Sequence, residues 1–197
     1  MKRLIVTIAV SLVGAFCFAQ AGPADISPLP KESSVSEGFI VWPYKVSVDL
    51  GDRDLRRRVY HLPEFAHKAA YEITVDADGV VIKAVTVEAL FYAQTSLSQM
   101  MARSDTLQRC HILDWPAAEV RVRSVDLCDG SVWNIERLLY QVDFARFEKR
   151  NVLRVVGSPA AFAPEQVERL AEYAGKNYVT VEWVPGTGHV NESITLY

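Results

Sequence analysis

The spacing of hydrophobic and polar positions changes along this chain, and each change marks an expected element. Around Tyr71 the spacing is two: Tyr71, Ile73 and Val75 share one face, with Glu72 and Thr74 on the other, as in a half-buried strand. Asp76-Ala77-Asp78-Gly79 supplies a turn, and residues 80–87 return as the second strand of a hairpin. From Glu88 the spacing lengthens to that of a helix. Leu90, Ala93, Leu97 and Met100 or Met101 fall on one stripe, so an amphipathic helix is expected over residues 88–103, packed on the strands. Upstream, residues 39–42 and 44–48 read as short strands divided by Pro43, and the polar stretch 49–58 separates them from the hairpin. Residues 22–37 hold Pro23, Pro28 and Pro30 among Ser, Glu and Lys, a composition that predicts an extended lead-in without an element.

The second half alternates between the two spacings. Asp114-Trp115-Pro116 turns the chain into a strand in which Val120, Val122 and Val125 are interleaved with Arg121, Arg123 and Ser124. Asn134 is placed as an N-cap, and Ile135, Leu138, Leu139 and Val142 form a helical stripe that runs to about residue 149. A strand over 152–156 carries Arg154, and Gly157-Ser158-Pro159 turns the chain. Pro164 then opens a helix with Val167, Leu170, Ala171 and Ala174 inward and Gly175 as its stop. Residues 178–184 alternate again as a third strand. Strand, helix, strand, helix, strand is the repeat of a parallel α/β sheet.

The first residues change the picture of where the protein works. Lys2 and Arg3 precede an almost wholly apolar run over 4–18, and Ala19-Gln20-Ala21 follows with small residues at signal-peptidase spacing, so residues 1–21 are expected to be a signal peptide. Cleavage after Ala21 would leave 197 − 21 = 176 residues and place the protein outside the cell or in the periplasm. The run is shorter than the roughly 20 apolar residues of a membrane span, so no membrane association is expected after cleavage. Half of all residues are apolar, enough for a core, and the net charge of −3 gives no support to nucleic-acid binding. The basic run Arg56-Arg57-Arg58 reads as a solvated face. Cys17 leaves with the leader; Cys110 and Cys128 remain, and both a disulfide and two free thiols are compatible with their number. No residue cluster suggests a metal or an organic cofactor.

Two motifs carry a resemblance. Asp114-Trp115-Pro116 followed by Arg121 and Asp126 is similar to the junction of family 20 glycoside hydrolases, the β-N-acetylhexosaminidases, where Asp-x-Pro precedes an Arg-Gly strand that opens the catalytic barrel and closes on Asp. Val122 stands in place of the Gly, and Asp129 in place of an Arg. Tyr71-Glu72-Ile73-Thr74-Val75 and the stretch from Leu90 to Gln99 are similar to the Tyr-x-Leu-x-Val and Gly-Leu-Phe-Tyr-Gly-x-Gln-Thr-Leu-x-Gln-Leu segments of that family's non-catalytic domain. The resemblance implies an α+β N-terminal domain over residues 38–113, with antiparallel strands and a packed helix. Over 114–197 it implies a partial (β/α) barrel of about three β/α units, truncated relative to an eight-stranded barrel.

The family's mechanism is substrate-assisted, with an Asp that orients the sugar's acetamido group and a neighbouring Glu as general acid, both after the fourth barrel strand. Residues 114–197 contain no adjacent Asp-Glu, so the resemblance assigns no catalytic residue here. Lys149, Arg150 and Asn151 keep the start of the family's Lys-x-Asn motif. Arg121 matches the arginine that holds sugar hydroxyls, a role suited to its planar fork of donors, with pairing to Asp126 or Glu119 as the structural alternative. Asp126, Glu182 and His189 complete the candidate substrate-binding set, each with a plain structural role as its alternative. The expectation is a secreted or periplasmic hexosaminidase homologue that binds N-acetylhexosamine-containing glycans and is inactive as the chain stands. The alternatives are a glycosidase re-sited on Asp126, Asp129 and Glu182, and an interaction module that self-associates through the open edge of the third strand.

Overall fold

The computed structural model describes residues 20–186, so His189 lies outside the described residues. Two sheets follow each other along the chain. In the first, β1 (Glu32–Val41), β2 (Val46–Leu50), β3 (Tyr71–Asp76), β4 (Gly79–Ala84) and β5 (Thr106–Asp114) lie in the order β1-β5-β3-β4-β2. All pairings are antiparallel except β2 with β4, which is parallel. In the second, β6 (Val122–Asp126), β7 (Val152–Val156) and β8 (Thr180–Val184) are parallel and sit in chain order.

The expected hairpin is β3 with β4. Its turn needs Gly79, which sits at φ +134, where an added Cβ would overlap the carbonyl oxygen of Lys45. The expected helix is α3 (Val87–Met101), capped by the Thr86 hydroxyl, which accepts from the N–H of Ala89. Its Ala89, Tyr92, Ala93, Leu97 and Met100 pack on Tyr71, Ile73, Val75, Val80 and Ile82 to make the larger core. On the opposite face, α1 (Arg53–Val59) brings Leu55 and Val59 onto Ala70, Val85 and Leu113, and the short α2 (Glu64–Lys68) follows it.

Several sequence expectations are corrected. The lead-in is not without elements: residues 32–37 belong to β1, which pairs with β5 and tolerates its serines because it is an edge strand exposed at nearly every position. The polar stretch 49–58 holds most of α1, whose few apolar residues, Leu55 and Val59, are four apart on a single face. Strand β5 has no counterpart in the periodicity, since Gln108 and Arg109 interrupt the alternation between Leu107 and Cys110. Both thiols are free, with Cys110 buried in β5 and Cys128 exposed after β6.

In the second sheet, α4 (Ile135–Phe147) and α5 (Pro164–Lys176) pack through Leu138, Leu139, Val142, Leu170 and Ala174 onto Val125, Leu153 and Val155. The expected N-cap at Asn134 is present, its side chain accepting from the N–H of Arg137. Ala171 is exposed rather than inward, and α5 runs one residue past Gly175 to Lys176. The described unit therefore has three strands and two helices.

Ala21 is built into the first sheet. It is 1 % exposed, donates its N–H to the carbonyl of Thr106 at 2.9 Å and accepts from Gln108 at 2.8 Å. A signal cut directly after Ala21 would remove this bridge, so the boundary at residue 21 conflicts with the packing. A chain beginning at Gly22 is expected to be less stable than one beginning at Gln20 by roughly 1–3 kcal/mol in urea denaturation, for two lost hydrogen bonds and a buried methyl.

Candidate functional site

The two sheets meet where β5 ends and the chain turns toward β6. Asp114, the last residue of β5, and Lys149, in the turn before β7, form an ion pair at 2.9 Å with side chains only 7 % and 8 % exposed. The Tyr71 hydroxyl donates to Asp114 Oδ2 at 2.6 Å and accepts from Lys149 Nζ at 2.8 Å; it also lies 2.6 Å from the Ser96 hydroxyl on α3. Lys149 reaches this position from a left-handed backbone, φ 55, so the loop is strained to deliver its ammonium group. Burial pushes the Lys149 pKa down while Asp114 holds it up in part. Burial first, and the Asp114 charge second, push the Tyr71 phenol well above its ordinary 10.0.

Arg121, the leading candidate for a sugar contact, belongs to this junction. Its Nε donates to the carbonyl of Lys149 at 2.7 Å, Nη1 to that of Ala118 at 2.8 Å, and Nη2 to the Tyr92 hydroxyl on α3 at 2.8 Å. It pairs with neither Asp126 nor Glu119, the carboxylates named as its structural partners, and it precedes the first residue of β6. Asn151 ties the same loop from both sides, accepting from the N–H of Arg121 and donating to the carbonyl of Glu119. A cavity of about 650 Å³ opens here, at the N-terminal ends of β6 and β7, between Leu29, Trp115, Val120, Arg121, Arg150 and Arg154.

Asp126 and Glu182 lie elsewhere, on the face of the parallel sheet turned away from α4 and α5. Register and the alternation of strand side chains place Ser124, Arg154 and Glu182 in one row across that face, with Asp126, Val156 and Val184 in the next. Arg154 donates to Glu182 Oε2 at 3.1 Å, so this carboxylate is arginine-paired. Asp126, exposed at the C-terminal end of β6, accepts from the N–H of Cys128 at 2.8 Å. Arg121 thus lies at the interface and Asp126 and Glu182 on the face turned away from α4 and α5, with Arg154, the partner of Glu182, lining the cavity beside Arg121. The interface role of Lys149 and Tyr71 was missed, although the Lys149-Arg150-Asn151 motif pointed to the loop. Among the described residues no group of three or more His, Cys, Asp or Glu is placed to hold a metal.

Replacing Lys149 by Met leaves Asp114 charged, buried and without its ion-pair partner. A loss of about 3–5 kcal/mol in urea denaturation is expected, with partial recovery in the Asp114→Leu/Lys149→Met double variant. The Tyr71 phenol has its folded pKa above the unfolded value. It therefore contributes stability that is full below about pH 10 and is lost as the pH rises through the folded pKa. Stability measured across this alkaline range should fall less steeply in Tyr71→Phe than in the parent, whatever the variant loses at neutral pH.

The family profile "Glycosyl hydrolase family 20, domain 2" matches residues 48–115. No curated protein matches the chain. Among solved structures, the β-N-acetylhexosaminidase of Streptomyces coelicolor is similar with a TM-score of 0.62 at 15 % identity, over 85 % of this chain and 47 % of that one. The Flavobacterium johnsoniae chitobiase gives 0.61 at 15 %, over 82 % and 34 %, and the Bacteroides fragilis β-N-acetylhexosaminidase 0.58 at 17 %, over 82 % and 44 %. The chain spans less than half the length of each, and at these identities the likeness is one of fold. Residues 48–115 thus match domain 2 of glycosyl hydrolase family 20, and the chain shares the fold of these hexosaminidases over most of its length.

Proposed function

We propose that β6, β7 and β8 are the opening strands of a (β/α) barrel and that the chain is a non-catalytic hexosaminidase homologue that binds N-acetylhexosamine-containing glycans. The observation that carries this reading is the face of the parallel sheet turned away from α4 and α5. It presents Asp126 at the C-terminal strand end, where sites form in such sheets, with the Arg154–Glu182 pair one row below. Carboxylates and a guanidinium beside small polar residues suit sugar hydroxyls. Glu182 is already held by Arg154, which supports a binding role for this carboxylate over an acid-base one.

The basic, apolar and small-residue pattern of the first residues supports secretion or a periplasmic location, with processing upstream of Ala21 because that residue is buried in the sheet. No helix among the described residues is long and apolar enough to cross a membrane. Strand β8 has β7 as its only neighbour among the described residues, which supports pairing with a further strand at this edge.

Titration of the chain with N-acetylglucosamine, followed by calorimetry, is expected to show saturable binding without release of nitrophenol from a nitrophenyl N-acetylglucosaminide. Asp126→Asn should weaken binding with Tm unchanged, whereas Arg121→Ala should lower Tm. Nitrophenol release abolished by Glu182→Gln would instead establish a re-sited glycosidase, and absence of any binding would leave the β8 edge as the functional surface.

A further inference from the structure

The first sheet has two margins, and they are built differently. At one, β1 is broken in register between Val35 and Phe39 and carries Glu32, Ser33, Ser34, Ser36 and Glu37, features that discourage further pairing. At the other, β2 pairs with β4 without a break from Val46↔Val80 to Leu50↔Ala84. Its Val46, Val48 and Leu50 are 43 %, 49 % and 51 % exposed, although their partners Val80, Ile82 and Ala84 are at most 2 % exposed in the core beneath α3. The core stripe thus continues onto β2 and stops uncovered.

The hydrogen bonding of β2 shows which groups face outward. The Lys45 carbonyl accepts from Val80, and the Gly51 N–H donates to Ala84, so odd-numbered residues bond inward to β4. By alternation, the N–H and C=O groups of Val46, Val48 and Leu50 point away from the sheet. None of these outward groups bonds to another described residue.

We infer that β2 is a self-association edge, on which a second copy of this chain adds its own β2 antiparallel across a twofold axis at Ser47. In this register Val46 of one copy opposes Val48 of the other, and each such pair exchanges its outward N–H and C=O groups. The apolar face then runs on through Tyr44 opposite Leu50. On the other face Lys45 stands opposite Asp49 of the second copy, twice by symmetry. Both side chains are on exposed residues and neither is in an ion pair within the described residues. Moving the axis to Val48 would also align outward groups, but it sets Asp49 against Ser47 and leaves Lys45 opposite Gly51. Charge therefore selects the Ser47 axis. The pairing is short against the roughly 1,200 Å² of a stable interface, so the dimer is reversible and grows with concentration.

Sedimentation velocity of the chain over a concentration series tests this. The parent is expected to pass from monomer to dimer. Lys45→Asp places Asp opposite Asp49, and Asp49→Lys places Lys opposite Lys45; each variant alone should weaken dimerisation by roughly tenfold, read as a dissociation constant because Asp49→Lys also sets Lys against Lys83 of β4 and lowers Tm. An equimolar mixture of the two single variants should recover dimer, because each copy then offers the charge the other lacks. The Lys45→Asp/Asp49→Lys double variant should dimerise like the parent. A parent that stays monomeric, single variants that dimerise normally, or a mixture that fails to recover would each overturn the inference. The second of these outcomes would place association on another edge such as β8, which these substitutions do not touch.

Discussion

The ion pair between Asp114 and Lys149 fixes the two sheets to each other. Two charges withdrawn from water cost several kcal/mol each unless each is answered, and here each answers the other while the Tyr71 hydroxyl bridges them. The pair joins the last residue of the antiparallel sheet to the turn before the central strand of the parallel one. Neither sheet can shift without exposing or orphaning a charge. Tyr71 adds α3 to the same connection through Ser96, and Arg121 adds it again through Tyr92. A backbone carrying Lys149 at φ 55 is tolerated because this pair holds it there.

This constraint gives the Asp-x-Pro and Lys-x-Asn stretches a structural part: their side chains fasten the two sheets to each other. Asp114 of the Asp-x-Pro stretch and Lys149 with Asn151 of the Lys-x-Asn stretch are 35 and 37 positions apart in sequence, yet they enclose one loop. Asn151 clamps that loop at Arg121 and Glu119, and Arg121 spends its donors on carbonyls and a hydroxyl rather than on a carboxylate. A guanidinium so engaged, before the first residue of β6, is removed from the strand ends where Asp126 lies.

Elements with a clean period were legible in the sequence. Tyr71, Ile73 and Val75 point to one core and α3 to the other side of the same core, and the second-half pattern of β6, α4, β7, α5 and β8 follows from valine and leucine spacing alone. What escaped was structure that periodicity does not encode. Strand β1 owes its existence to β5 across the sheet, not to its own serines, and β5 owes its place to β3. The left-handed lysine and the Tyr71 bridge are tertiary facts, visible only when distant residues meet. Of the candidate site, a structural role for Glu182 was foreseen as an alternative, while the partners of Arg121 were not, because carbonyl acceptors leave no mark on a sequence.

The edges carry the same lesson at the level of sheets. A parallel unit such as β6-β7-β8 buries one face under helices and needs cover for the other, and here the face turned away from α4 and α5 holds charges, Asp126 and the Arg154–Glu182 pair, that are compatible with water. The antiparallel sheet solves the problem at β1 by bulge and serine. At β2 it leaves valines beside Lys45 and Asp49, charges of opposite sign spaced symmetrically about Ser47. Two like charges at those positions would repel a second copy along the whole edge. Opposite ones repel it in every antiparallel register that sets like against like and attract it in one, so the strand's polarity restricts pairing to a single defined partner geometry instead of forbidding it.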